Sequence, residues 1–196
     1  MTHCPVRSGQ PSAQRPDELK KMIDHIVRSE ARSYLEVGCR YGDTFHSVVS
    51  AMPKGSVAVA VDLPGDAWGR SDSLAHLESA IADLTAGGYD ASLIIGDSRA
   101  LGTRQAVMLR GPYDAVFLDG DHRYAGVLAD WDNYSRSVTP SGFVGLHDID
   151  AHYQRKHMKV DVPVLWRELK QRYDYVEVVG TQRGMGIGIV WPGKPR

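Results

Sequence analysis

The chain has 196 residues, of which 42% are hydrophobic and 24% are charged, and its formal net charge is -1. This size and composition are typical of one globular domain with a substantial core, and the near-zero charge argues against nucleic acid or an acidic membrane as the main partner. The chain lacks both the roughly 20 consecutive apolar residues that cross a bilayer and the apolar core of a signal peptide. We therefore expect a cytoplasmic protein with Cys4 and Cys39 reduced.

The elements predicted in chain order alternate between strands and helices. Residues 1–16 are rich in Pro, Ser, Gln and Arg, which predicts a flexible segment before a single domain, residues 17–196. An amphipathic helix follows from about Asp17. Short apolar runs then predict strands at residues 34–37, 57–61, 92–95, 115–118 and 143–146. Helical patterns lie near residues 43–51, 74–86, 99–109 and 122–136. Such alternation is typical of a parallel sheet covered by helices on both faces.

The last part of the chain has a different pattern. A helix near residues 162–172 is followed by two apolar runs, 175–179 and 187–191, which a short glycine-containing link joins. Two runs joined in this way predict a hairpin, so we expect the last strand to be antiparallel. The predicted fold is therefore α/β, with a seven-stranded and mostly parallel sheet.

A glycine turn follows the first predicted strand. Gly38 and Gly42 lie in this turn, and Asp62 ends the second strand. Such glycines let the backbone pass close to a ligand, and an acid at this strand end can accept hydrogen bonds from ribose hydroxyls. Asp43, at the start of the helix, would repel a phosphate. The pattern favours a nucleoside cofactor without a phosphate there over the alternative of a plain turn and a surface acid.

Residues that can bind a metal follow the fourth and fifth predicted strands. Asp119, Asp121 and His122 come after the fourth strand, and His147 and Asp148 come after the fifth. Neighbouring parallel strands end at the same edge of a sheet, where ligands bind. Two carboxylates and an imidazole can hold one divalent cation there, and the imidazole favours Mn²⁺ over Mg²⁺. In the structural alternative, Asp119 caps the next helix and His147 is a hydrogen-bonded residue near the core.

Five motifs occur in the order seen in class I S-adenosylmethionine-dependent methyltransferases. They are Glu36-Val-Gly-Cys-Arg-Tyr-Gly42, Asp62, Gly96-Asp97-Ser98, Asp114-Ala-Val-Phe-Leu-Asp-Gly-Asp-His122 and Gly142-Phe-Val-Gly-Leu-His-Asp148. Within that class the chain most resembles a small group related to metal-dependent sugar and macrolide O-methyltransferases and to cephalosporin-hydroxylase-like proteins. The resemblance covers nearly everything after residue 17 and implies a Rossmann-like sandwich.

The resemblance implies which residues surround S-adenosylmethionine. Those that match the family's cofactor pocket lie at or just after the ends of the first four strands: Glu36, Gly38, Cys39, Gly42, Asp62, Leu63, Gly96, Asp97, Ser98 and Asp119. Glu36 and the two glycines would shape the pocket for the methionine part. Asp62 would hold the ribose hydroxyls, and Asp97 would contact the adenine amino group with Ser98 beside it.

The resemblance also bears on the metal site and the base. The metal-dependent relatives have ligands at strand ends that match Asp119, His147 and Asp148, although an acid often stands at the position of His147. His122, with an ordinary imidazole pKa of about 6.5, is the candidate base for a substrate hydroxyl. At a helix start the dipole would favour its neutral form. The alternative is a surface histidine without a catalytic role.

These expectations combine into methyl transfer from S-adenosylmethionine to a hydroxyl of a small molecule, such as a sugar, polyketide or phenol. His122 and Asp119 would take part in the reaction, with help from a divalent cation such as Mg²⁺ or Mn²⁺. Two alternatives stay open: a metal-dependent hydroxylase or hydrolase on the same fold, and a noncatalytic domain that binds the cofactor. Because the chain is too short for a large lid, we expect either an open site or one completed by a second subunit in a homo-oligomer.

Overall fold

The computed structural model describes residues 14–63, 72–150, 159–180 and 184–195 of the chain. The flexible segment predicted at residues 1–16 lies mostly outside the described residues, as does Cys4. Where the two overlap, Gln14 is buried and a helix already begins at Pro16. A long-range contact of Gln14 holds residues 14–16 on the fold, and the flexible segment before them stays a prediction.

The strands of the structure form a single sheet. They are β1 (Ser33–Val37), β2 (Val57–Asp62), β3 (Asp90–Ile95), β4 (Tyr113–Leu118), β5 (Val138–His147), β6 (Tyr173–Val178) and β7 (Ile187–Pro195). Their order in the sheet is β3-β2-β1-β4-β5-β7-β6. Strands β1 to β5 are parallel, and β7 runs antiparallel between β5 and β6. The predicted seven-stranded, mostly parallel sheet with an antiparallel last strand is confirmed.

Helices cover both faces of this sheet. Within the described residues they are α1 (Pro16–Arg28), α2 (Asp43–Ala51), α3 (Ser73–Ala86), α4 (Leu101–Met108), α5 (Tyr124–Tyr134) and α6 (Val162–Leu169). The first three helices share one hydrophobic core with the sheet, and the last three share a second core on the opposite face. Successive strand residues alternate between the two cores, as Tyr34 and Leu35 do. Two-sided burial explains why inner strands such as β2 and β4 appear in the sequence as apolar runs.

No helix in the described part of the chain combines the length and the apolar character that crossing a membrane requires.

Strand register brings the predicted site residues to one edge of the sheet. Val37 pairs with Val61 of β2 and with Leu118 of β4, and Leu118 pairs with Leu146 of β5. The residues that follow these four therefore emerge side by side: Gly38, Asp62, Asp119 and His147. This carboxyl edge is where open parallel sheets bind their ligands.

The start of α1 is fixed to the connection between β6 and β7. Glu18 is completely buried, and its two carboxylate oxygens accept hydrogen bonds from the backbone N–H groups of Gly180, at 2.8 Å, and Gly186, at 3.1 Å. Arg15 lies 3.6 Å from the same carboxylate. The first helix is thus tied to the last hairpin, and Gln14 is brought close to the carboxyl edge.

Candidate active site

Four ionisable side chains meet where β4 and β5 end. His122 Nδ1 is 2.8 Å from Asp148 Oδ2, and His122 Nε2 is 3.4 Å from Asp119 Oδ1. His147 Nδ1 is 3.0 Å from the same Asp119 oxygen and 3.7 Å from Asp148 Oδ1. The four side chains expose between 4% and 14% of their surface. Their charges therefore interact in a place largely shielded from water, where electrostatic effects are strong.

The electrostatics of this cluster favour a protonated His122. Burial alone would lower the pKa of His122, but the hydrogen bonds and charges of Asp119 and Asp148 outweigh burial and raise it to about 10. Burial likewise would raise the pKa of Asp119, yet His147 and His122 hold it well below its ordinary value. This differs from the neutral imidazole that the helix dipole alone would favour. The predicted helix start at residue 122 is wrong: α5 begins at Tyr124, and two carboxylates, not the helix dipole, determine the charge.

His147 is buried with both ring nitrogens unsatisfied. It is 3% exposed, and neither nitrogen has a hydrogen-bond partner among the described residues, since its contact with Asp119 is an ion pair without hydrogen-bond geometry. Burial lowers the pKa of His147, but the charge of Asp119 outweighs burial and raises it. His147 is thus a buried residue that Asp119 holds at 3.0 Å as an ion pair. Asp119 does not cap α5: the N-cap position is Arg123, and the backbone N–H of Tyr124 donates to Asp161.

The donor chemistry of the cluster suits a divalent cation, whereas its geometry is that of ion pairs. Two carboxylates and an imidazole with unsatisfied nitrogens are ligands that Mn²⁺ and related cations accept. Within the residues that the structure describes, however, no group of three or more His, Cys, Asp or Glu side chains has metal-site geometry. The side chains as placed neutralise one another.

The glycine turn after β1 packs directly against the turn after β4. Gly38 has a φ of 89°, and a Cβ there would lie 2.3 Å from the carbonyl oxygen of Asp119. Only glycine accommodates both the left-handed backbone and this close approach. The candidate cofactor turn is therefore a direct neighbour of the ionisable cluster.

Two acids flank this turn in different ways. Asp62 accepts a hydrogen bond at 2.7 Å from the backbone N–H of Arg40, which ties the end of β2 to the turn. Glu36 is 1% exposed and accepts a hydrogen bond at 2.6 Å from the Tyr34 hydroxyl. Burial raises the pKa of Glu36 to about 8, with a further contribution from the charge of Asp119. Glu36 thus supports the turn from inside the protein, while Asp62 stands at the carboxyl edge.

Cys39 and Leu63 occupy opposite environments beside the turn. The Cys39 thiol is buried and donates to the carbonyl oxygens of Glu36, at 3.4 Å, and Val61, at 3.8 Å. It therefore points into the protein, so that a contact with a cofactor would involve the backbone of Cys39. Leu63 is 48% exposed at the end of β2 and offers an apolar surface.

In the loop after β3, the side chains of Asp97 and Ser98 form hydrogen bonds with other side chains of the protein. The backbone N–H of Gly96 donates to the carbonyl oxygen of Asp62 at 2.9 Å. The carboxylate of Asp97 accepts two hydrogen bonds, each 2.9 Å long, from the guanidinium of Arg99. The Ser98 hydroxyl donates to a side chain of α5. This loop lies beside the end of β2, as a pocket wall would, although its side chains contact one another.

A family model described as a methyltransferase domain matches residues 35–149 of the chain. The chain belongs to this family of methyltransferase domains. The match spans the glycine turn, the end of β2, the loop after β3 and the ionisable cluster, and it confirms the resemblance inferred from the motifs. A search of curated protein sequences finds no match.

Solved O-methyltransferase structures share the fold of this methyltransferase domain. The O-methyltransferase from Bacillus cereus, in complex with SAH, is 14% identical with a TM-score of 0.67, over 94% of this chain and 85% of that one. TomG from Streptomyces achromogenes, an O-methyltransferase involved in tomaymycin synthesis and solved with SAM, is 16% identical with a TM-score of 0.64, over 91% and 81%. At these identities the likeness shows the fold alone.

A contact of Gln14 in the site of the methyltransferase is not indicated by the sequence. Gln14 is 3% exposed, and its Nε2 donates to Asp119 Oδ2 at 2.6 Å. The two residues are 105 positions apart, and a lone glutamine in a polar segment belongs to no recognisable motif. Only the docking of α1 reveals this contact.

Asp121 of the methyltransferase has a structural role. Its carboxylate accepts hydrogen bonds from the backbone N–H of Arg123, at 3.1 Å, and from the Arg123 guanidinium. A carboxylate that bonds the backbone two residues later forms an Asx turn. The hydrogen bond from Arg123 lowers the pKa of Asp121. This turn delays the start of α5 until Tyr124.

Proposed function

We propose that this protein transfers a methyl group from S-adenosylmethionine to a hydroxyl oxygen of a small molecule. One observation carries the proposal: the paired side chains of His122 and Asp148 lie at the carboxyl edge, next to the glycine turn. S-adenosylmethionine, when bound, supplies a methyl group that is already activated by the sulfonium. The protein then has to orient the acceptor oxygen and remove its proton.

The residues around the turn fit this cofactor. Gly38 lets the backbone of the turn lie against Asp119, and Asp62 stands where an acid can accept hydrogen bonds from ribose hydroxyls. Asp43, the first residue of α2, brings negative charge to the helix N-terminus. A pyrophosphate would be repelled there. These features support a cofactor with a nucleoside and an amino-acid part over a dinucleotide.

In this proposal His122 accepts the proton of the acceptor hydroxyl. Asp148 holds Nδ1, and Nε2 lies 3.4 Å from Asp119 Oδ1, so the substrate hydroxyl would take the place of Asp119 at Nε2. A protonated imidazole cannot accept a proton, so His122 has to lose its own proton first. Because Asp119 and Asp148 raise the pKa of His122, neutralising their charge would produce the base form.

We further propose a divalent cation at Asp119, His147 and Asp148. The unsatisfied buried nitrogens of His147 support it. The chemistry that such a cation would supply is positive charge, which acidifies the acceptor hydroxyl and lowers the proton affinity of His122. The three ligands would hold it in place of their present ion pairs.

Cofactor binding and turnover test the main proposal. Calorimetry with S-adenosylhomocysteine should show one site per chain, and S-adenosylmethionine with a panel of phenols, sugars and polyketides should yield equal amounts of methylated product and S-adenosylhomocysteine. Binding without turnover on any hydroxylated acceptor would favour the noncatalytic alternative. Oxygenated or hydrolysed products without S-adenosylhomocysteine would favour the hydroxylase or hydrolase alternative. The relatives named as O-methyltransferases support starting with hydroxyl acceptors.

Calorimetric titration with Mn²⁺ and Mg²⁺ tests the cation. We expect Mn²⁺ to bind more tightly, and His147→Ala to abolish binding. His46→Ala, on α2, serves as the matched control. Equal Mn²⁺ affinity in the wild type and His147→Ala would remove the cation from the proposal. The cytoplasmic location and completion of the site by a second subunit stay predictions.

A further inference from the structure

A buried acid on α5 contacts two of the loops at the carboxyl edge. Asp130 is 2% exposed, and its Oδ1 accepts a hydrogen bond from the Ser98 hydroxyl at 2.6 Å. Its Oδ2 lies 3.2 Å from the point that a Cβ on Gly120 would occupy, so the carboxylate also touches the turn after β4. Burial raises the pKa of Asp130 to about 6. Since a buried carboxylate is costly unless it is hydrogen-bonded, Asp130 is an unusual choice for a helix that only covers a sheet.

A second side chain of α5 holds the same residue. The hydroxyl of Tyr134, which is completely buried, donates to the carbonyl oxygen of Ser98. Asp130 and Tyr134 are one helical turn apart and therefore lie on one face of α5. Ser98 is thus fixed at both its side chain and its backbone. The hydroxyl that a cofactor contact would use is already engaged by Asp130.

The loop held in this way adjoins the proposed ribose site. Gly96 donates its N–H to the carbonyl oxygen of Asp62, so the loop after β3 and the end of β2 form one continuous wall. We propose that Asp130 and Tyr134 are positioning residues that clamp this loop, through Ser98, against the nucleoside part of S-adenosylmethionine. The inference rests on the proposed function. It adds that two residues outside the cofactor pocket help the protein to recognise the adenine of S-adenosylmethionine.

Binding of S-adenosylhomocysteine to the whole protein, measured by calorimetry, tests the clamp. Asp130→Ala should weaken binding about tenfold, the effect of one buried hydrogen bond. Asp130→Asn should restore most of the affinity, because its amide oxygen can still accept the Ser98 hydroxyl. Ser98→Ala, which removes the donor, should behave like Asp130→Ala. Asp132→Ala, at an exposed position of the same helix, is the control.

The preference between two ligands distinguishes a loss of loop positioning from partial unfolding of the variant. S-inosylhomocysteine carries a carbonyl in place of the 6-amino group of adenine. We expect Asp130→Ala and Ser98→Ala to reduce the preference for S-adenosylhomocysteine over this analogue, whereas partial unfolding would weaken both ligands by the same factor. An unchanged affinity and an unchanged preference in both variants would overturn the clamp. If the wild-type protein does not bind S-adenosylhomocysteine at all, the proposed function fails and the clamp fails with it.

Discussion

His122 Nδ1 and Asp148 Oδ2 are 2.8 Å apart, although the two residues belong to different strand-end loops. Asp148 adopts a left-handed backbone with a φ of 62°, a conformation that costs a non-glycine residue on the order of 1 kcal/mol or more. The fold therefore holds Asp148 in a strained conformation that places its carboxylate on His122. This pairing orients the imidazole, and in the proposed mechanism it makes Nε2 the nitrogen that meets the substrate.

Replacing His122 tests its role as the base. We expect His122→Ala to reduce turnover by roughly 10²–10⁴-fold, because His122 is the histidine that is hydrogen-bonded to Asp148, whereas His147, which also lies near both carboxylates, is the proposed metal ligand. The affinity for S-adenosylhomocysteine should change little, since His122 contributes to proton removal and not to the cofactor pocket. Steady-state kinetics and calorimetry measure the two effects separately. His46→Ala is the control, and full turnover by His122→Ala would exclude His122 as the base.

Replacing Gly38 tests the close packing of the two turns. In Gly38→Ala the new Cβ would meet the Asp119 carbonyl oxygen, so we expect a loss of about 3 kcal/mol or more in the free energy of unfolding. Gly55 is a matched control, because its φ of 80° is similar but nothing lies within 4 Å of a Cβ there. Gly55→Ala should cost only about 1 kcal/mol. Urea denaturation measures both, and equal losses would contradict the packing role.

The buried Glu36 predicts a specific pH dependence of stability. Its pKa is about 8 in the folded protein and 4.5 as its ordinary value, so the folded state binds the proton more tightly. Stability therefore falls as pH rises from about 4.5 to about 8. Glu36→Gln removes this contribution and should gain stability relative to the wild type across the same interval. Denaturation of both proteins at several pH values, with the exposed Glu78→Gln as control, measures the difference. A constant difference across the interval would contradict the buried, protonated state of Glu36.

Replacing Glu18 tests the attachment of α1 to the last hairpin. Glu18→Ala leaves the amides of Gly180 and Gly186 without their carboxylate, so we expect a loss of about 2–4 kcal/mol in the free energy of unfolding. Asp24→Ala, on the exposed face of the same helix, should have little effect, since exposed ion pairs contribute little. Denaturant midpoints compare the two variants. A loss no larger than that of Asp24→Ala would show that the attachment is not important for stability.

The fold was predictable because its signals are local. Each buried strand contains a continuous apolar run, and the glycine turn and the acidic strand ends follow those runs directly. The predicted starts of two elements are wrong where polar residues extend a strand or delay a helix. Strand β5 begins at Val138 instead of residue 143, because residues 139–142 interrupt the apolar run, and α5 begins at Tyr124 because Asp121 forms a turn first.

The site was predictable only as far as strand order determines it. Parallel strands that end together bring Asp119 beside His147, so their proximity follows from the motifs. The charge of His122 cannot be predicted from the motifs, because it depends on the side-chain positions of Asp119 and Asp148. Gln14 and Asp130 were also missed: each contacts a residue far away in the sequence, and no local pattern marks such a contact.

The attachment of Glu18 has a consequence for the order of folding during synthesis. Its two partners lie 162 and 168 positions later in the chain, so α1 leaves the ribosome long before Gly180 and Gly186 have been made. The sheet from β1 to β5 can assemble in the meantime, because its contacts involve earlier residues. The two hydrogen bonds of Glu18 therefore form only after Gly186 has been made, later than the contacts among β1 to β5.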